Sequence, residues 1–373
     1  MKRALITATV QSHVAQFHKP LMKLLKEDGY EIHVAARDNL AEKNGLSLEF
    51  ADCVYDVPFD RSPLSKKNIA AYRRLKEIID SAEFEIISCN TPVGGVLTRL
   101  AARNARKKGT QVFYTAHGFH FYKGAPLKNW LTFYPLEKLL AHKTDVLVTV
   151  AGEDYALAQD KMKTEIRRIH GIGANTEKYK PLPQEEIVRM KEKEGLAAAY
   201  PVLLCVGELL RNKNQAAAIN ALAKVREKYP QARLLLAGNG PLLPELEKAA
   251  RELQVEGSVD FLGYRTDLER YINMADIVLA CSFREGLPMN VIESMLCAKP
   301  VIASVNRGHR ELVEDGQTGY LVKADDPDAF AGKVTALLES PESYRIFCEN
   351  ALKRVEPYKD KNVLAELREI YGK

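Results

Sequence analysis

A chain of 373 residues is longer than one hydrophobic core usually serves, so two domains are expected. Apolar residues make up 46% and charged residues 28%, the balance of a soluble globular protein, and no apolar run approaches the roughly 18 residues a spanning helix needs. The net charge of +5 is unevenly spread: residues 1–175 hold 26 Lys and Arg against 19 Asp and Glu, whereas residues 176–373 hold 28 against 30. Two basic clusters, Lys66, Lys67, Arg73, Arg74 and Lys76, then Arg99, Arg103, Arg106, Lys107 and Lys108, account for part of the excess. Such clusters read as solvated helix faces or as attraction to anionic lipid headgroups, worth about 1 kcal/mol per basic residue near a membrane surface. No nucleic-acid recognition motif accompanies them, so nucleic acid is not an expected partner. The start, MKRALITATV, reads as a buried strand and not a signal peptide. Six cysteines without a CxxC pair read as reduced thiols, which places the chain in the cytoplasm.

Short apolar runs rich in β-branched residues alternate with amphipathic stretches from end to end. In the first half, strands are predicted at 3–9, 31–36, 85–89, 111–115, 145–150 and 166–170, with helices at 14–28, 68–81, 93–108, 127–142 and 152–162. After a Gly- and Pro-punctuated linker within 171–200, strands recur near 202–206, 232–237, 258–262, 276–280 and 300–303. Strands alternating with helices of this length predict βαβ units, hence two doubly wound α/β domains, 1–175 and 176–356. Ligands of such sheets bind at the carboxyl ends of the strands.

Residues 281–297, CSFREGLPMNVIESMLC, carry the most specific local pattern. A loop holding Arg284, Glu285 and Gly286 leads into a helix expected from Leu287 or Pro288, because proline's missing N–H is no loss in a first helical turn. The free amides of that turn, around Met289, Asn290 and Val291, together with the helix dipole, suit a phosphate. Glu285 and Glu293 flank it. Carboxylates are poor phosphate ligands but good acceptors for sugar and ribose hydroxyls, so the combination fits a nucleotide sugar better than a nucleoside triphosphate. Taken alone, the segment fits equally a helix that merely begins with EGLP.

The segment resembles the EGLPxxxxE signature of the retaining family-4 glycosyltransferases of the GT-B fold, and the resemblance runs over nearly the whole chain. It is particularly similar to the bacterial exopolysaccharide and capsule branch through Thr91-Pro92-Val93-Gly94-Gly95, the segment Thr115 to Pro126, Gly171 to Glu177, Asn212-Lys213-Asn214 and Asn306 to Glu311. The resemblance implies two Rossmann-like domains facing across a cleft. The first would bind the acceptor and be braced by a returning helix at 357–373; the second would bind the donor. It implies that Glu285 binds hydroxyls of the donor sugar, Glu293 the ribose, and Lys213 the diphosphate, and that His117 reaches the transferred sugar from the opposite domain. Gly263 and Tyr264 fall where the base is read, with Gly286 and Leu287 beside the donor. The loop Val10 to Val14, with Gln11, Ser12 and His13, would face diphosphate and acceptor, and Asn90, Thr91 and His120 stand on the acceptor side.

Two departures qualify the carry-over. The family arginine five residues before the lysine is replaced by Glu208, which leaves Arg211 or Arg284 to complete the diphosphate clamp. The paired glycines common in the first loop are absent. No metal is expected, and no cofactor beyond a nucleotide-sugar co-substrate with uracil as the base. The expected partners are that nucleotide sugar, a polyprenyl-diphosphate-linked saccharide acceptor and an anionic membrane surface at the inner face of the cell membrane. His18, His170 and His309 read as structural histidines. Competing readings are a non-hydrolysing nucleotide-sugar epimerase and a non-catalytic nucleotide-sugar-binding subunit. A dinucleotide-dependent oxidoreductase is weakest, for want of G-x-G-x-x-G after the first strand.

Overall fold

The computed structural model describes residues 2–42 and 46–372 and divides into two units, one of Met1–Gly173 with Asp360–Lys373, the other of Ala174–Lys359. The unit boundary at 173/174 and the return at 360 stand where the linker reading has 175/176 and 357. The first unit holds β1 (Lys2–Val10), β2 (Tyr30–Arg37), β3 (Cys53–Asp56), β4 (Ile86–Asn90), β5 (Gln111–Ala116), β6 (Val146–Thr149) and β7 (Glu165–Arg168). Its helices are α1 (Gln11–Phe17), α2 (Lys19–Glu27), α3 (Lys67–Ser81), α4 (Pro92–Ala101), α5 (Arg103–Lys107), α6 (Leu127–Ala141) and α7 (Gly152–Lys161). All strands pair in parallel in the order β3-β2-β1-β4-β5-β6-β7.

The second unit holds α8 (Gln184–Lys193), β8 (Val202–Val206), α9 (Gln215–Lys228), β9 (Arg233–Ala237), α10 (Leu243–Glu252), β10 (Val259–Gly263), α11 (Leu268–Met274), β11 (Ile277–Ala280) and α12 (Met289–Leu296). It closes with β12 (Val301–Ser304), α13 (Arg307–Leu312), β13 (Gly319–Val322), α14 (Pro327–Leu338) and α15 (Pro341–Arg354), and its parallel sheet runs β10-β9-β8-β11-β12-β13. In each sheet the strand order reverses beside the first strand, between β1 and β4 and between β8 and β11. This is where a doubly wound fold opens a crevice.

The central strands are buried on both faces because helices cover both sides; β1 from Ala4 to Val10 and β8 from Val202 to Cys205 are sealed. Three expectations change. Strands β3 and β13 were not anticipated: each is a four-residue edge strand, too short for a run of apolar residues to declare it. The predicted helix 14–28 begins three residues earlier and breaks at His18, where Pro20 opens a new helix. The expected loop Val10 to Val14 is therefore the end of β1 running directly into α1.

The last helix, α16 (Asp360–Tyr371), belongs to the first unit. It buries Val363, Leu367 and Tyr371, stacks the Tyr371 ring on Phe113 at 4.3 Å, and sets the Tyr371 hydroxyl 3.0 Å from Ser88 Oγ. Glu366 accepts from the His170 amide at 2.8 Å and lies 2.5 Å from its Nδ1. Gly173 enters this junction at φ +79°, and a Cβ there would stand 2.9 Å from the Asp360 Cα, so only glycine fits.

Candidate active site

In the second unit, the loops after β8 and β9 abut: a Cβ on Gly238, at φ +148°, would stand 2.0 Å from the Gly207 carbonyl oxygen. The chain after β8 then makes a short turn at Arg211–Lys213 and passes through Asn214 in the left-handed region at φ 54°. Both flanking asparagines clamp the loop after β11. Asn212 Nδ2 donates to Arg284 O at 2.9 Å while its carbonyl accepts from the Phe283 amide at 2.8 Å. Asn214 Nδ2 donates to Ala324 O at 2.7 Å and to Cys281 O at 3.3 Å. The clamp brings Lys213 Nζ to 2.6 Å from Glu285 Oε1, with both side chains only partly exposed. Behind Glu285 lies Gly308, where a Cβ would sit 2.8 Å from the Glu285 Cβ. Asn306 caps α13 by accepting from the His309 amide at 2.9 Å, and His309, buried, places Nδ1 2.8 Å from Ser304 O. The Asn306–Glu311 segment thus supports Glu285 from the rear, and His309 is tied down there.

Helix α12 starts one or two residues later than expected, with Pro288 as its N-cap and Met289 as its first residue. The Val291 amide, expected free, donates to Pro288 O at 3.2 Å. The Asn290 side chain is committed too: its Nδ2 donates to Val206 O at 3.0 Å, fastening the helix start to the end of β8. Gly286 and Leu287 sit half-buried in the loop leading into this helix. Gly263 ends β10 at φ +66°, and Tyr264 beyond it is 65% exposed. Glu208 is exposed. Arg211 and Arg284 are also exposed, and among the described residues neither is held in an ion pair, so both remain available to an anion.

Glu293 is half-buried and takes a side-chain hydrogen bond from Tyr179, a partner the sequence did not reveal. Desolvation dominates and pushes its carboxyl up to about 7, with the Tyr179 bond and Lys178 pulling the other way. A carboxyl raised in the folded state binds its proton more tightly than the unfolded chain does. The contribution of this one group to stability is therefore full below about pH 4.5 and is lost as pH rises through about 7, by at most ~3 kcal/mol. Chemical denaturation at pH 5 and pH 8 should show this loss, and Glu293→Gln should flatten it; an unchanged slope in the variant would exclude Glu293 as its source.

In the first unit, the strand-order reversal gathers Gln11, Ser12, Asn90 and Thr91. Gln11 and Ser12 are buried, and Asn39 brackets Ser12 by accepting from its amide at 3.0 Å and donating to its hydroxyl at 2.8 Å. Asn90 is sealed, donating to Thr7 O at 3.2 Å. Thr91 holds φ 63°, costly for a β-branched residue by about 1–3 kcal/mol, and is fixed there by the Thr9 amide and hydroxyl at 3.0 and 2.7 Å. The following glycines allow α4 to seat: a Cβ on Gly95 would be 2.4 Å from the Tyr114 ring.

His117 follows β5, and its ring meets His13 edge-on at 4.8 Å between centroids and His18 at 5.2 Å. The Nε2 atoms of all three are buried without a hydrogen-bond partner, each worth about 1–3 kcal/mol of lost solvation. Desolvation lowers their basicity, His13 to about 3, His117 to about 4 and His18 well below its ordinary value; mutual repulsion and, at His13, Arg61 add to it for the first and last. His18 is thus no satisfied structural histidine. His120 stacks on Phe133 at 4.6 Å, while Phe119 and Phe121 pack inward.

Of the basic clusters, Lys66, Lys67, Arg73 and Arg74 are exposed on or beside α3, but Arg99 is not part of any basic face. It is buried, lies 3.8 Å from the Tyr114 ring centroid, and pairs with Glu137 at 2.8 Å. An unanticipated feature is the row Leu127, Leu131, Leu139 on α6, each at least 62% exposed, with Lys128 and Lys138 exposed beside it. All six cysteines are free thiols. No helix among the described residues is long and apolar enough to cross a membrane.

Two parallel Rossmann-like units, the second presenting a lysine–glutamate pair at the helix start after β11, define a glycosyltransferase of the GT-B fold. The chain belongs to that class by sequence as well: residues 4–151 match the family described as Glycosyl transferase 4-like, and residues 186–354 match Glycosyl transferases group 1. It is 43% identical over its whole length, and over 96% of the relative's, to EpsD of Bacillus subtilis (strain 168), a glycosyltransferase by name. It is 27% identical over 71% of its length, and 68% of the relative's, to the UDP-Gal:alpha-D-GlcNAc-diphosphoundecaprenol alpha-1,3-galactosyltransferase of Escherichia coli. Its fold superposes on Anabaena HepE, solved in complex with UDP and glucose, with a TM-score of 0.79 at 20% identity and 99% coverage of both chains.

Proposed function

We propose that this glycosyltransferase moves a hexose or N-acetylhexosamine, with retention of configuration, from a uridine diphosphate sugar to a hydroxyl of a polyprenyl-diphosphate-linked saccharide during exopolysaccharide or capsule synthesis. The observation that carries the reading is the Lys213–Glu285 pair clamped by Asn212 and Asn214 at the start of α12. An ammonium for a diphosphate and a carboxylate for sugar hydroxyls stand 2.6 Å apart, already oriented by the fold and compensating each other's charge. Glu293 would take the ribose, and Arg211 or Arg284 the second charge of the diphosphate. His117, on the first unit, would reach the transferred sugar.

In the reaction, the bond from the anomeric carbon to the diphosphate oxygen breaks as the acceptor oxygen bonds to the same carbon. The acceptor's proton passes to the departing phosphate oxygen on that face, so no separate base is required. Lys213 and the arginine stabilise the charge that develops on the leaving group. These cations fill the electrostatic role a metal has elsewhere, so turnover should persist in chelator. Loss in chelator with recovery on adding magnesium or manganese would overturn metal independence. The decisive assay mass-measures products from a panel of nucleotide sugars and a lipid-linked saccharide. Interconversion of the donor without an acceptor would favour the epimerase reading, and donor binding without any turnover the non-catalytic one.

The acceptor assignment is supported by the lipid-linked substrate in the name of the Escherichia coli relative and by the basic surface of α3 and the leucine row of α6. Both devices suit docking on an anionic membrane, one by charge, one by inserting apolar side chains. Sedimentation with anionic vesicles should show binding. Neutralising Lys66, Lys67, Arg73 and Arg74 should remove its salt-sensitive part, and Leu127→Ser with Leu131→Ser the salt-resistant part. A protein that stays in solution at every lipid composition and low salt would exclude docking and favour a soluble acceptor.

A further inference from the structure

We propose that His13, His18 and His117 form a binding site for one divalent transition-metal ion of the zinc class, within the first unit. The ring nitrogens of the three side chains offer one ligand atom each, all within 4.8 Å of one another. They come from three separate places: His13 from the middle of α1, His18 from the break before α2, and His117 from the end of β5. That break is what turns His18, only 5% exposed, inwards beside the other two. Each presents an Nε2 buried without a partner, so no protein hydrogen bond has to be broken to bind an ion there. Beside His18 and His117 lies a cavity of about 20 Å³, also lined by Thr115 and Tyr371, with room for one water-sized occupant.

The donor chemistry selects the ion. Neutral imidazoles suit zinc, copper and nickel and not magnesium or calcium, which demand oxygen ligands. Three protein nitrogens, with the small cavity beside two of them to admit a fourth ligand, match the ligand count of a zinc site left open. The lowered basicity of the three rings keeps them in the neutral form that ligates at neutral pH. A second trio, Glu31, His33 and Cys53, lies between β2 and β3 but is already engaged: Arg3 donates to Glu31 at 2.9 Å, and Tyr55 stands 3.0 Å from His33 Nδ1.

The consequence rests on the function proposed above. An ion held by His117 withdraws that ring from the donor sugar, so the metal acts as an inhibitor and is no cofactor.

The test uses the full chain and cobalt or zinc alone. Equilibrium dialysis should give one ion per chain, with the visible absorption of tetrahedral cobalt. His18→Gln should weaken binding by more than about 100-fold, as loss of a ligand exceeds the effect of losing an outer partner. His117→Gln should do the same, whereas His33→Gln should leave the ion in place; thermal melts confirm that each variant is folded. Absence of a bound ion in the wild type, or its retention in both His18→Gln and His117→Gln, overturns the site. In turnover assays zinc should inhibit the wild type and spare His18→Gln. A bound ion without inhibition supports the site and removes His117 from the proposed reaction.

Discussion

Replacing Lys213 or Glu285 by alanine should lower donor-saturated turnover by about 100-fold or more, the lysine variant losing a preorganised charge opposite the developing leaving-group charge and the glutamate variant a preorganised acceptor for hydroxyls of the transferred sugar. The two variants should differ in a second way. In Lys213→Ala the Glu285 carboxylate loses its 2.6 Å partner and stands unpaired beside the proposed diphosphate position, so donor binding should weaken along with turnover. In Glu285→Ala the lysine remains for the diphosphate, and the loss should concentrate in turnover. The double variant should lose less than the sum of the two, because the residues act as one pair. Steady-state kinetics with a single donor and its acceptor measures all three. Wild-type turnover in either single variant would remove the pair from the reaction.

Arg99→Ala should have the largest effect on stability, about 3–5 kcal/mol, read as a fall in the unfolding midpoint of the first unit. Removing the guanidinium leaves the Glu137 carboxylate buried without its 2.8 Å partner and opens a void against the Tyr114 ring. Arg99 also donates to Gly95 O at 3.0 Å, and Tyr114 donates to Glu137 at 3.2 Å, so one network joins α4, β5 and α6. The double variant Arg99→Met with Glu137→Gln should recover much of the loss, since the uncompensated charge is gone. If Arg99→Ala melts with the wild type, the pair is dispensable to the fold.

Arg99 also marks where sequence and structure diverge. In the sequence it sits among Arg103, Arg106, Lys107 and Lys108, and charge alone cannot say which of five basic residues turns inwards. The sheet strands at 3–9, 111–115 and 202–206 were legible because helices cover both faces and force a continuous apolar run. Edge strands β3 and β13 carry no such demand. The helix after β11 was legible through its proline, but the start was one or two residues out because Pro288 caps the helix and does not lie within it. Partners brought in by distant segments left no local trace. Tyr179 lies 114 positions from Glu293, and the asparagines beside Lys213 reach a loop some seventy residues on. The inward turn of His18 depends on a helix break that apolar periodicity alone carries straight through. A Pro two residues later was the available signal.

Because α16 completes the first unit from the far end of the chain, synthesis and folding run in a different order from the sequence. A ribosome finishes residues 174–359 before it makes the helix on which Phe113 and Ser88 close. At ~5–20 residues per second, the roughly 200 residues separating Gly173 from Tyr371 leave that apolar seat open for about 10–40 seconds. The nascent first unit thus waits with that apolar seat uncovered while the second unit, whose residues are contiguous in the chain, is made. A stop codon before residue 360 would therefore injure the amino-terminal half of the protein and spare the half adjoining the cut.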